Sequence, residues 1–180
     1  MRSLTLAYPL LRPCPTTLRI RRSPRGCECT VTRKNPSREH WTLNAMISAR
    51  PGTPPVVYNI IKGATKQQEF FDFMTSPAVL ATLQPGDHVV LDNCQTHHVE
   101  WVQDALEALY AGLGVDIWYL PPYCPFFNAT ELLFSFVKTY LHQKCSYADS
   151  ADSVVLCARL ALRMVNKRHI AAWFDHVLSL

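Results

Sequence analysis

Three consecutive aliphatic residues, Val89, Val90 and Leu91, run straight into the carboxylate of Asp92. A run without polar alternation suits a strand covered on both faces, as in the sheet of an α/β protein. The next segment, Val99 to Leu113, carries Val102, Ala105, Leu106 and Leu109 at helical spacing. Asp116 to Leu120 then reads as a second short strand. Strand, amphipathic helix and strand make a crossover unit, which sets strands side by side with their carboxyl ends at one edge. Ligands of open sheets gather at such edges.

The flanking sequence extends this sheet. Trp41 to Ala49 and Val56 to Ile61 read as two strands joined by a turn at Pro51-Gly52. Thr65 to Leu83 reads as a helix, opened by the capping-box spacing Thr65-x-x-Gln68 and kinked or split at Pro77. Glu131 to Gln143 has Leu132, Leu133, Phe136, Val137, Tyr140 and Leu141 on one side of a helix. A last helical region runs from Asp152 to Leu178, with a break near Asn166. Two hairpin-like strands followed by β-α-β-α units imply a mixed sheet flanked by helices. With 180 residues, 48% of them hydrophobic, the chain can bury a sizeable core as one domain with or without a tail.

Residues 1–37 have a different texture, rich in Arg, Pro and Thr, with only Leu4 to Tyr8 strand-like. This stretch reads as a basic, poorly ordered segment, and residues 38–180 as the folded domain. Arg2, Arg12, Arg19, Arg21, Arg22 and Arg25 precede the first acid, Glu28. An arm of this kind can lie on a nucleic-acid backbone or simply be solvated. It also has the composition of a mitochondrial transit segment, but Pro9, Pro13 and Pro15 oppose the helix such a segment needs. A net charge of +4 permits an anionic partner without demanding one. Seven cysteines without a C-x-x-C pair or secretory signal argue against a disulfide framework and for a reducing compartment. Zinc held by Cys27, Cys29 and a histidine is the minor alternative. No run approaches the ~18 apolar residues of a membrane span.

Two carboxylates stand out. Asp92, at the end of an apolar strand, is costly there without a metal, a basic partner or hydrogen-bond donors; it can equally cap the following turn with Asn93. Glu131 sits on the first turn of its helix, after the proline-rich Leu120-Pro121-Pro122-Tyr123-Cys124-Pro125 connection. The Asn128-x-x-Glu131 spacing is also that of a capping box. Paired carboxylates at a sheet edge are what a two-metal phosphoryl-transfer site requires. His97 and His98 follow Asp92 closely; His97 can orient a phosphate or a metal-bound water, or cap the next helix. Arg159, Arg163 and Lys167 recur every four residues, as a stripe along DNA or as a solvated helix face.

Taken together, Leu91-Asp92-Asn93, His97, and Leu120 through Glu131 resemble the catalytic domain of the Tc/mariner-like transposases, the DDE superfamily endonucleases. The family pattern is an apolar strand ending Asp-Asn, a nearby histidine, a helix, and a strand running into Leu-Pro-Pro-Tyr-Ser-Pro-x-x-Asn-Pro-x-Glu. The 38 residues between Asp92 and Glu131 match the family separation, and the likeness covers roughly residues 19–145. It implies an RNase H-like fold and DNA cleavage and joining by two Mg²⁺ or Mn²⁺ ions. By the same match Asp92 and Glu131 are the second and third catalytic, metal-binding carboxylates, with Asn93, His97 and Asn128 in support. Arg21, Arg22, Arg25 and Lys138 would face DNA. The implied partners are DNA and a second copy or a full-length transposase, in a nucleus or nucleoid.

The departures are specific. Cys124 replaces a serine, and Ala129-Thr130 replaces Pro-x. The family's first aspartate lies on its first strand, yet no aspartate precedes Asp72 here. Either the first strand is missing, or Leu4 to Tyr8 replaces it and puts Ala7 or Tyr8 near the absent carboxylate. Glu28 and Glu39 lie on the wrong segment to substitute. The expectation is a domain truncated at its start and impaired in cutting. The alternative is a non-catalytic module that binds DNA or a transposase.

Overall fold

The computed structural model describes residues 3–11, 40–92, 99–121, 124–144 and 151–179. Its elements are β1 (Ser3–Leu11), β2 (Trp41–Ser48), β3 (Val56–Lys62), α1 (Gln67–Met74), α2 (Pro77–Leu80), β4 (His88–Leu91), α3 (Glu100–Gly112), β5 (Asp116–Tyr119), a 3-10 turn (Pro125–Phe127), α4 (Ala129–Lys144), α5 (Ala151–Met164) and α6 (Lys167–Leu178). The five strands form one sheet in the order β3-β2-β1-β4-β5. β3, β2 and β1 are antiparallel neighbours; β1, β4 and β5 run parallel.

β4 shows why its sequence lacks alternation. Val90 faces a cluster built from α4, α5 and α6, which includes Leu133, Phe134, Ala158 and Ile170. Val89 and Leu91 face the opposite cluster, built from α1 and α3, with Phe70, Met74, Leu106 and Tyr110. Helices therefore cover both faces, as a crossover topology demands. α3 returns to β5 through Gly114, whose φ of 70° suits glycine; a Cβ there would also lie 3.2 Å from Pro85.

The first strand is present rather than missing. β1 lies at the centre of the sheet, paired to β2 from Ser3↔Ser48 to Leu11↔Trp41 and to β4 from Ser3↔Val89 to Thr5↔Leu91. Part of the segment read as a basic arm thus belongs to the folded unit. Its backbone supplies both ladders, antiparallel to β2 and parallel to β4.

Local chemistry corrects three further expectations. α1 does not open with a Thr65–Gln68 capping box. The Thr65 hydroxyl donates to Asn44 Oδ1 on β2 at 2.8 Å, and the helix starts at Gln67, with the Lys66 N–H donating to Glu69 Oε2 at 2.8 Å. The Arg159–Arg163–Lys167 stripe does not exist as one helix face. Asn166 caps α6 by accepting from the N–H groups of Arg168 and His169, so Lys167 belongs to a new helix. Cys157 on α5 is disulfide-bonded, while Cys124 is a free thiol. An odd cysteine count excludes complete pairing, not a single bridge. Pro77 does split its helix, standing at the first position of α2 behind the Ser76 cap.

Candidate active site

Asp92 follows the last residue of β4 and is half-buried. The ladder to β5 continues one step past Leu91↔Tyr119, because the Leu120 N–H donates to the Leu91 carbonyl at 2.8 Å. Asp92 therefore leaves the sheet beside the point where β5 ends. Leu120 packs on the same apolar cluster as Val90, Ala129 and Leu133. The β5 exit and the start of α4 thus share one apolar cluster.

Between them the chain makes the 3-10 turn, closed by Phe127 N–H donating to the Cys124 carbonyl at 3.2 Å. Asn128, Ala129 and Thr130 are buried. Asn128 Oδ1 accepts from the Thr130 N–H at 3.1 Å and from the Thr130 hydroxyl at 2.8 Å. This is the helix cap, made to the residue before Glu131; Glu131 N–H donates instead to the Asn128 carbonyl at 3.1 Å. Glu131 stands half-buried on the first turn of a helix that packs across β1 and β2. Lys138 is half-buried seven residues on, on the same side of α4.

The topology thus brings Asp92 and Glu131 to one edge, the carboxyl end of the parallel strands β1, β4 and β5. Asn128 supports Glu131 through its cap. Asn93, His97, Arg21, Arg22 and Arg25 lie outside the described residues, as do His98, Cys27 and Cys29.

The metal fit can be tested on β1. Extending the β1–β4 register by one step from Thr5↔Leu91 sets Leu6 level with Asp92, with Ala7 and Tyr8 just beyond. No residue of Ser3–Leu11 is an acid. Among the described residues, no group of three or more His, Cys, Asp and Glu is placed to hold a metal ion. Among the described residues this edge carries two carboxylates, fewer than a clamp for two divalent cations calls for.

A family model described as DDE superfamily endonuclease matches residues 15–154. The chain belongs to that family. The fold of this DDE domain is the RNase H-like one of solved transposase cores. It is similar to a pre-cleavage Mos1 transpososome, with a TM-score of 0.66 and 14% identity over 98% of this chain and 54% of that one. It is similar to the Mos1 mariner paired end complex with Mn, with a TM-score of 0.62 and 13% identity over 99% and 52%. It also resembles the catalytic domain of Mos1 mariner transposase, with a TM-score of 0.57 and 16% identity over 78% and 69%. The DDE domain spans about half the length of the chains in the two complexes. No curated protein matches it in sequence.

Two features of the DDE domain escaped sequence reasoning. One is an ionic cluster at the far end of the sheet. Arg50 and Asp87 form a buried ion pair, and Lys167 Nζ donates to the Ser48 carbonyl at 2.7 Å and to Thr53 Oγ1 at 2.9 Å. Burial, and then the nearby Arg50 charge, lower the Lys167 pKa. Asp87 precedes Asp92 by five residues, roughly 16 Å along a strand, so this cluster is no part of the edge site. The other is the pair Phe126 and Phe127, exposed immediately before the α4 cap. Only the consecutive aromatics hinted at it. Among the described residues no helix is long and apolar enough to cross a membrane.

Proposed function

We propose that this domain engages DNA as a member of the DDE family and is impaired in strand cleavage. One observation carries the reading. β1, the parallel neighbour of β4, has no acid, and its register extended by one step sets Leu6 level with Asp92; on this reading it takes the place of the family's first-carboxylate strand. On this reading Asp92 and Glu131 mark the edge where the family's chemistry takes place. A site that keeps two carboxylates but lacks the third loses much of the charge that would hold Mg²⁺ or Mn²⁺. Lys138, on the same side of α4 as Glu131, suits a phosphate backbone. The partner on this reading is DNA, held by this chain alone or together with a second copy or a full-length transposase.

The test is a binding titration of the purified chain against a labelled duplex, with a nicking assay run in parallel. Binding is expected to weaken about tenfold or more between 50 and 200 mM salt, as for several phosphate contacts, and to survive chelation of divalent ions. No nick is expected in Mg²⁺ or Mn²⁺. Binding indifferent to salt sinks the DNA reading. Mn²⁺-dependent nicking that disappears in Asp92→Asn and Glu131→Gln overturns the impairment.

A further inference from the structure

We infer that β3 pairs edge to edge with the β3 of a second copy of this chain, so that two five-stranded sheets become one. The DNA reading above holds for one copy or for two, so this pairing is independent of it. β3 ends the sheet, with β2 as its neighbour on one side. Two bonds fix which backbone groups it leaves over. The Ser48 N–H donates to the Pro55 carbonyl at 3.1 Å, and the Gly63 N–H donates to the His40 carbonyl at 2.7 Å. Antiparallel ladders alternate, and the register runs unbroken from Trp41↔Lys62 to Ile47↔Val56. Val57, Asn59 and Ile61 therefore turn their backbone groups to β2. Val56, Tyr58, Ile60 and Lys62 turn theirs away from it.

The two edges of the sheet treat this liability differently. β5 is four residues long, starts on the exposed Asp116 and runs through Leu120 into Pro121-Pro122. Short length, charge and proline each oppose strand addition. β3 uses none of these devices between Val56 and Ile61, which carry no charge, no proline and no register shift. An edge of that kind is a template for another strand.

The side chains of β3 select a second β3 as the occupant. An antiparallel pair centred on Asn59 uses the strand from end to end. It sets Val56 opposite the partner's Lys62 and Tyr58 opposite the partner's Ile60, so the residues with outward backbone groups meet one another. An aromatic against a β-branched residue is a favourable cross-strand pair, and symmetry makes it twice. Val56, Tyr58 and Ile60 lie on the side of α4, α5 and α6, where one copy leaves them only partly buried. Lys62 meets a valine, so no like charges stand opposite each other. The contact is isologous and closes at two, because each copy joins through its unprotected edge and keeps the protected one outermost.

The experiment is sedimentation of the full chain without DNA, in chelator and reductant, over about 1–100 μM, where a modest interface assembles. A concentration-dependent dimer is expected. Ile60→Pro removes an outward N–H and spares the β2 ladder, as proline on an edge strand can. It is expected to weaken the dimer about tenfold or more, since symmetry removes the bond twice. Oxidation reads the register. Position 59 opposes itself with Cα atoms about 4.5 Å apart, within disulfide reach. Asn59→Cys is therefore expected to link two copies beyond the wild-type background, with the 59–59 bridge identified by peptide mass. Ile61→Cys, on the same face but opposite the partner's Val57, is expected not to. A wild-type monomer throughout, an Ile60→Pro dimer of unchanged strength, or linkage at 61 equal to that at 59 overturns the pairing and leaves the DNA reading standing. Should Ile60→Pro unfold, the cysteine variants decide alone: linkage through 59 but not 61 upholds the pairing, and any other pattern overturns it.

Discussion

Arg50 and Asp87 come together from opposite sides of the sheet end that lies away from Asp92. Asp87 is only 3% exposed and Arg50 12%. Asp87 also accepts from the Gln84 N–H through Oδ2 at 2.9 Å, so its carboxylate is satisfied twice. Removing one member leaves a buried charge, which costs more than the pair itself contributes. Arg50→Met is therefore expected to lower unfolding free energy by about 3 kcal/mol in urea titrations, and Arg50→Met/Asp87→Leu to recover most of it. A double variant as unstable as the single would refute that account. The two residues are 37 apart in sequence, and nothing in their neighbourhoods announces the pairing. Asp92 was legible because an apolar run ends on it; Asp87 sits in an ordinary Pro-Gly-Asp turn and was not.

At the scale of elements, helix and strand positions followed from apolar periodicity, while helix starts depended on contacts from elsewhere. Thr65 illustrates this: its hydroxyl has the right spacing for a cap but is drawn to Asn44, buried on β2. No local pattern contains that competitor. α3 is fixed in a comparable way, by Tyr110 OH donating to the Met74 carbonyl at the end of α1, at 2.9 Å and fully buried. Burial pushes the Tyr110 phenol well above its ordinary range. Tyr119 on β5 is pushed up to about 12, first by burial and then by the Glu107 carboxylate. The sign follows from proton counting. Unfolded phenols ionise near pH 10, while the folded ones keep their protons, so the folded state holds more protons above pH 10. Stability is fully present below that pH and is lost as pH rises toward 12. Chemical denaturation between pH 9 and 11.5 is expected to show this decline and a shallower one for Tyr119→Phe. Tyr110→Phe is expected to cost about 1–2 kcal/mol at neutral pH, because the Met74 carbonyl is left buried without its donor. A Tyr119→Phe protein with an unchanged slope would contradict the assignment.

For the whole molecule, topology decides what the sequence left open. A strand-like stretch at residues 4–8 amid arginines and prolines reads as an isolated fragment, because strand pairing is non-local and a chain scan cannot show which neighbours it meets. In the sheet it joins the antiparallel β3–β2 pair to the parallel β4–β5 pair, and without it no strand ladder connects the two halves. The same register turns the missing acid into a precise position. Leu6 lies level with Asp92 on the adjacent parallel strand, at the carboxyl edge shared with the start of α4. Leu6→Asp would add a third carboxylate to that edge, and Leu6→Asn would make the same steric change without the charge. If the impairment of this domain is the loss of one carboxylate from an otherwise retained edge, Leu6→Asp should bind Mn²⁺ about tenfold or more tightly than Leu6→Asn, by calorimetry and by upward shift of the melting temperature. Asp92→Asn in the Leu6→Asp background should cancel the gain, since the two carboxylates would share the ion. Equal Mn²⁺ affinity in Leu6→Asp and Leu6→Asn would mean that this edge no longer has the geometry of a metal site, and that the departure from the family is more than one residue deep.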